Sequence, residues 1–241
     1  MTPTATSSRA SARAQATGPL RPLARPARIA GAGIVGVIFT VLVGIALTHA
    51  DGWDGFDLAA LQALGAHHTA FGTSLAVMIA TIFAPSAALI ISVLAGLLVA
   101  VATRSAGQTV TFLLLMAVSW GGSEVVKLIV RRPRPDPTML EFPPAAQDSF
   151  SYPSGHTAFV VALVIAVIFI AYRNRVRIAW IVVAGVVLVV IVALSRVYLG
   201  VHYPTDVLAS MLYAGSSAAA FLAIWLRYLL PHIGLLRPRS R

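Results

Sequence analysis

Six apolar stretches, each about 20 residues long and separated by polar turns, leave this chain few folds other than a helical bundle in a bilayer. Hydrocarbon offers no water to backbone N–H and C=O groups, so each spanning segment must satisfy them within its own helix. The stretches run from about Ile29 to Leu47, within Leu75–Ala102 with a bend expected at Pro85, and from about Thr109 to Val130. The last three cover about 156–172, 178–195 and 205–228. Composition agrees: 58% of residues are hydrophobic and 11% charged, against roughly 25% charged in soluble domains. The expected fold is all-α, an integral membrane bundle of six transmembrane helices with its active site at the extracytoplasmic helix ends. With no cysteine there is no disulfide frame, no thiolate metal site and no cysteine nucleophile.

Outside the bundle, residues 1–27 are rich in Ala, Ser, Thr, Pro and Arg without one acidic residue, which reads as a disordered cytoplasmic tail. A transit peptide shares that composition, but the prolines oppose an amphipathic helix. Residues 28–230 form the six-span domain, and 231–241 a basic cytoplasmic tail. The first outer loop carries Asp51, Asp54 and Asp57, ahead of a short amphipathic piece around Leu58–Leu64. Gly31, Gly33, Gly36 and Gly44 mark faces of the first span for close helix packing.

The net charge of +10 reports orientation, not nucleic acid. Arg9, Arg13, Arg21, Arg25, Arg28, Arg104, Arg173, Arg175, Arg177, Arg227, Arg237, Arg239 and Arg241 all fall on one side of a six-span chain. That side is expected to be cytoplasmic and to hold both termini, in a multi-pass protein of the cell membrane. The other five basic residues, Lys127, Arg131, Arg132, Arg134 and Arg196, lie opposite, against the orientation signal. Acidic residues of the same loop, Asp136, Glu141 and Asp148, are one set of partners for them; a bound anion is another.

Three clusters share that outer side. Lys127-x6-Arg134-Pro135 ends the third span, Pro153-Ser154-Gly155-His156 begins the fourth, and Ser195-Arg196-x5-His202-x3-Asp206 joins the fifth to the sixth. Ser154 is placed as a helix N-cap with Gly155 and His156 in the first turn, where unpaired N–H groups and the helix dipole favour an anion. Gly155 permits close approach to the backbone. Three cations with such N–H groups suit a tetrahedral phosphate, since phosphoryl transfer is catalysed mainly by positioning and charge stabilisation. Asp206, four residues from His202, can hold one imidazole nitrogen as N–H and leave the other lone pair free for in-line attack on phosphorus. His156 is then the proton donor to the leaving oxygen.

Each piece also has a plainer reading. Arg132-Pro133-Arg134-Pro135 suits an interfacial stop, and His202 beside Tyr203 an interfacial anchor. Asp206 suits a cap of the last span or a partner of Arg196. Arg131 and Arg132 read as headgroup or loop contacts and Glu124 as a counter-ion to Lys127; His49, His67, His68 and His232 read as surface or interfacial. What these readings leave unexplained is why all three clusters share one side.

In order and spacing the three motifs resemble the signature of the type 2 phosphatidic acid phosphatase superfamily, which also includes vanadium-dependent haloperoxidases. The resemblance spans Lys127 to Asp206. It implies that Lys127, Arg134 and Arg196 bind phosphate together with Ser154 and the Gly155 backbone. It further implies that His202 forms a phosphohistidine, that Asp206 orients it and that His156 is the general acid, in a reaction needing no metal or cofactor. The expected function is hydrolysis of the terminal phosphate of a lipid phosphate, with a polyprenyl diphosphate as first choice and phosphatidic acid or phosphatidylglycerophosphate next. A lipid phosphotransferase would use the same residues. A haloperoxidase is disfavoured because those relatives are soluble, and an anion-binding scaffold or transporter would need the cations but not His202 with Asp206.

Overall fold

The computed structural model describes residues 23–49, 53–144 and 147–233. The expectations for residues 1–22, for Asp51 and for the tail at 234–241 lie outside the described residues. Among the described residues, eight helices longer than one turn follow one another: α1 Pro26–His49, α2 Trp53–Gly65, α3 Ala70–Ile82, α4 Pro85–Thr103, α5 Ala106–Val130, α6 Gly155–Arg173, α7 Ala179–Tyr198 and α8 Pro204–His232. No strand occurs among the described residues. Six of the helices, α1 and α4 to α8, are apolar over 19 to 29 residues and so long enough to cross the hydrocarbon, as the sequence leads one to expect.

The boundaries follow local chemistry. Proline opens α1, α4 and α8, where its missing N–H would have been unpaired in any case. Thr69 and Ser105 cap α3 and α5 by accepting from the N–H groups of Gly72 and Gln108. Arg104 and Arg131 end α4 and α5 in the left-handed conformation, with φ of 52° and 55°. Proline at 133 then keeps the chain from resuming the helix.

One span differs from expectation. The apolar run through Pro85 is no single bent helix: α3 ends at Ile82, and α4, beginning at Pro85, supplies the span by itself. A proline ring cannot accommodate the carbonyl four residues before it in a continuing helix. The freed α3 packs along α7, with Thr69 N–H donating to the Tyr198 hydroxyl at 2.9 Å.

Antiparallel packing separates two ends of the bundle. At one end Asn174, just past α6, donates to Gln108 at the start of α5 (2.7 Å), and Trp225 of α8 donates to Thr111 (2.8 Å). At the other end the last turn of α5, the first of α6, the last of α7 and the first of α8 converge. α1 runs against α8 by direct backbone approach in the half of the bundle away from this end. A β-carbon on Gly33 would stand 2.5 Å from the Ser216 carbonyl oxygen and 2.7 Å from the Ala220 nitrogen. Higher up, Gly44 lies under the ring of Tyr152, whose hydroxyl donates to the Thr40 carbonyl at 2.6 Å. Tyr152 is fully buried and thereby fastens the loop before α6 to α1. Outward faces such as Leu89, Val93 and Leu97 of α4 are exposed and apolar, as a lipid-facing surface must be.

The α1–α8 contact can be tested directly. Gly33→Val meets backbone that cannot step aside and should cost about 1–3 kcal/mol, read as a lower thermal midpoint in detergent. Gly31→Val, with nothing within 4 Å of its new β-carbon, should leave the midpoint nearly unchanged. Equal shifts for both would contradict this packing.

Candidate active site

The converging helix ends bring together every residue that the three motifs single out. Lys127 sits one turn before the end of α5, buried, with Nζ 3.2 Å from Glu124 Oε1. Gly155 in the first turn of α6 lies over this pair: a β-carbon there would be 2.9 Å from Glu124 Oε1 and 3.7 Å from Lys127 Nζ. Glu124 is thus the counter-ion anticipated from its spacing, and Gly155 is the residue that lets α6 start so close to it. Arg196, in the last turn of α7, and His202, in the following loop, both act electrostatically on the His156 ring, as does Lys127. Arg134 in turn faces Arg196, His202 and Asp206.

Arg134 is held by oxygen atoms that carry no formal charge. Its guanidinium donates to the Ser149 carbonyl (2.7 Å), the Ser149 hydroxyl (2.9 Å) and the Val201 carbonyl (2.7 Å). Burial lowers its pKa from the ordinary guanidinium value, with the charges of Asp206 and Glu124 opposing that. Arg196 is only 4% exposed, and its Nε and Nη1 have no hydrogen-bond partner among the described residues. The acidic loop does not neutralise either arginine. Asp136 is turned onto Thr138, accepting from its N–H (2.9 Å) and hydroxyl (2.7 Å), and no carboxylate forms an ion pair with Arg134 or Arg196 among the described residues.

The two imidazoles have different settings. His202 is buried, with Nδ1 3.4 Å from Asp206 Oδ2 and Nε2 3.4 Å from Arg134 Nη1. A guanidinium can only donate, so Nε2 presents its lone pair and Nδ1 faces the carboxylate. Burial pushes the pKa of His202 down to about 4, against the raising effect of Asp206 and with Arg134 and Arg196 adding to the depression. His156 points its Nε2 at the Ala80 carbonyl near the end of α3, 3.1 Å away. A carbonyl accepts only, so Nε2 carries the proton and Nδ1 is the nitrogen left for other chemistry.

Several readings from sequence need correction. Arg132 is not a peripheral headgroup or loop contact: it is 1% exposed and forms ion pairs of 2.8 Å with both Asp57 and Asp206. Asp206 therefore pairs with Arg132, and Arg196 is left without it. Ser154 stands at the N-cap position, but its side chain makes no capping bond; its hydroxyl accepts from the Thr157 hydroxyl at 3.2 Å. His68, read as surface or interfacial, is half-buried. It is stacked between Phe142 and Tyr198, with ring centroids 4.6 and 4.1 Å away, beside a cavity of about 220 Å³. Among the described residues, no three His, Asp or Glu side chains are grouped as a metal ion would require.

Comparison with known proteins agrees with this architecture. The family model of the PAP2 superfamily matches residues 108–229, which contain all three motifs. Undecaprenyl-diphosphatase of Sulfolobus acidocaldarius is 34% identical over 126 residues, covering 51% of this chain and 56% of that protein. Phosphatidylglycerophosphatase B of Bacillus subtilis is 40% identical over 92 residues, 36% of this chain and 42% of the relative. The chain thus spans about half the length of the curated relatives it matches. The crystal structure of a transmembrane PAP2-type phosphatidylglycerolphosphate phosphatase from Bacillus subtilis superposes with a TM-score of 0.65 at 23% identity. The match covers 80% of this chain and 94% of that one and shows a common fold.

An orphaned guanidinium beside two more cations should take up a small tetrahedral anion. Inorganic phosphate should raise the thermal midpoint of the purified protein in a saturable way, because a ligand that binds only the folded state stabilises it. Arg196→Gln should abolish most of that rise. An equal rise in wild type and Arg196→Gln would contradict an anion site at this position.

Proposed function

The chain belongs to the PAP2 superfamily, and from that premise we propose that it is a membrane lipid phosphatase. The reaction removes the terminal phosphate of a polyprenyl diphosphate or a phospholipid phosphate. The observation that carries this reading is Arg196, buried without an acidic partner where Lys127, Arg134, a helix N-terminus and two imidazoles meet. A lone guanidinium withdrawn from water is costly, and a dianionic phosphate offsets that cost while presenting its phosphorus to the rings. The names of the relatives, an undecaprenyl-diphosphatase and a phosphatidylglycerophosphatase, support lipid phosphates as the anions to try first.

In the proposed mechanism Lys127, Arg134 and Arg196 hold the non-bridging oxygens, joined by the first N–H groups of α6 at Gly155 and by the Ser154 hydroxyl. His202 Nε2 attacks phosphorus, its N–P bond forming as the bond from phosphorus to the lipid oxygen breaks. Asp206 stabilises the positive charge that develops on the ring through Nδ1–H. His156, protonated, delivers a proton from Nδ1 to the departing oxygen, while the Ala80 carbonyl keeps Nε2 engaged. Water then attacks the phosphohistidine, with His156 as the base, and phosphate leaves. Transfer to a second lipid in place of water would be the phosphotransferase outcome of the same chemistry.

The thirteen arginines that the sequence puts in the two tails and in the turns of one side support cytoplasmic termini and a site at the outer membrane surface, at headgroup depth. Residues 28–230 would form the catalytic unit, flanked by the tails 1–27 and 231–241. Neither a metal nor a cofactor has a step in this scheme.

A panel of polyprenyl diphosphate, phosphatidic acid and phosphatidylglycerophosphate, assayed with purified protein in EDTA, tests the proposal. Phosphate release from at least one lipid is expected, and its loss in His202→Ala. His156→Ala should slow a monoester by roughly 10²–10⁴-fold and a diphosphate less, since an alkoxide needs the proton more than a phosphate does. Release unaffected by His202→Ala would overturn the mechanism.

Acidity provides a further check. His202 attacks as the neutral ring, and its pKa lies near 4, not at the ordinary 6.5, so the attacking form is populated at every pH above about 4. With a diphosphate lipid, the limb of kcat/KM that belongs to His202 should therefore fall only below about pH 5. A His202-dependent limb near 6.5 would contradict the burial that sets it.

A further inference from the structure

Arg132 and Asp57 have no contact with the anion in the proposed scheme, yet they are almost fully buried, at 1% exposure each. Arg132 forks between two carboxylates. Nη2 donates to Asp57 Oδ2 and Nη1 to Asp206 Oδ1, both at 2.8 Å, and Nη1 also donates to the Thr205 hydroxyl at 2.7 Å. Thr205 returns its hydroxyl proton to Asp57 Oδ2 and its N–H to Asp57 Oδ1. The guanidinium lies 4.1 Å over the ring of Tyr203, whose N–H donates to Asp206 Oδ2 at 2.9 Å. Three elements distant in sequence are joined here: α2 through Asp57, the end of α5 through Arg132 and the start of α8 through Thr205 and Asp206.

We propose that Arg132, braced by Asp57, is the positioning residue that sets the Asp206 carboxylate and, through it, the nucleophilic ring of His202. The proposal rests on the phosphatase reading and adds to it a working part at positions that the three motifs leave unspecified. Asp206 divides its oxygens: Oδ1 belongs to Arg132, while Oδ2 takes the Tyr203 N–H and faces His202 Nδ1 at 3.4 Å. Two fixed donors leave the carboxylate one orientation, and that orientation aims Oδ2 at the ring. At 3.4 Å the His202 Nδ1 has no hydrogen-bond partner of ordinary geometry among the described residues, so its alignment rests on where the carboxylate is set, and a small rotation of Asp206 would lose it. Without Arg132, Asp57 and Asp206 would face each other across Thr205, and two neighbouring carboxylates tend to share a proton. A protonated Asp206 would no longer hold Nδ1–H.

Stability alone is a poor reason for such a triad, because buried ion pairs are often replaceable by apolar residues without loss. The bidentate fork also explains why lysine would not serve as well: an ammonium cannot span both carboxylates in one plane.

Steady-state kinetics on the best lipid from the panel tests this, with kcat expressed per folded molecule in the monodisperse fraction. Arg132→Gln should lower kcat about tenfold or more and change KM by less than about twofold, since Arg132 does not touch the phosphate. Arg132→Lys should recover part of the lost kcat. Asp57→Asn, which leaves the Arg132–Asp206 pair in place, should lose less. If Arg132→Gln fails to fold, Asp57→Asn/Arg132→Gln removes one charge of each sign and keeps hydrogen-bonding groups on both sides; it should show the same loss confined to kcat. Unchanged kcat in the folded variants, or a loss expressed mainly in KM, overturns the positioning role while wild-type turnover keeps the phosphatase reading. Absence of lipid phosphatase activity in wild type overturns both.

Discussion

A guanidinium buried at the end of a membrane bundle must find negative charge, and here the arginines find it in two ways. Arg132 is satisfied within the protein by Asp57 and Asp206. Arg196 is not, and Arg134 is fixed only by carbonyls and a hydroxyl, so their charge stays available to something from outside. This division accounts for much of the surrounding architecture. Lys127 stands beside a half-exposed carboxylate, Gly155 is bare enough to start α6 against that pair, and α1 pins the intervening loop through Tyr152.

The same division orders the two histidines. His202 lies on the side of the internal network, with Nδ1 3.4 Å from Asp206 Oδ2. His156 is oriented by the Ala80 carbonyl of α3, a helix too short to count among the spans. Two short helices that the bundle does not need for crossing a membrane, α2 and α3, therefore each supply a contact to the machinery: Asp57 to Arg132 and Ala80 to His156. In the proposed mechanism the nucleophile and the acid are thus served by different short helices.

Much of this was legible in sequence where the signal is local. Apolar runs of about 20 residues report spans because a bilayer admits little else, and all six were found, though Pro85 divides a run that looked continuous. The three motifs were legible because each sits at a helix end, and alternation along six spans puts those ends together. Glu124 was found as the partner of Lys127 because one helical turn separates them. What stayed hidden depends on pairing across distant segments. Nothing in the sequence around Asp57 points to Arg132, 75 positions later, and Arg132 beside Pro133 looked like an ordinary stop at the membrane surface. The lack of a capping bond from Ser154 and the stacking of His68 between Phe142 and Tyr198 are likewise set by neighbours that come from elsewhere in the chain.

The claim on which the rest turns is that phosphorus passes through the ring of His202. Quenching the wild-type enzyme during turnover of a lipid labelled in its terminal phosphate, then mapping the label by peptide mass spectrometry under alkaline conditions, addresses it directly. Acid-labile phosphate on the peptide bearing His202 is the expected result. Label found instead on the peptide bearing Ser154 or His156 would contradict it.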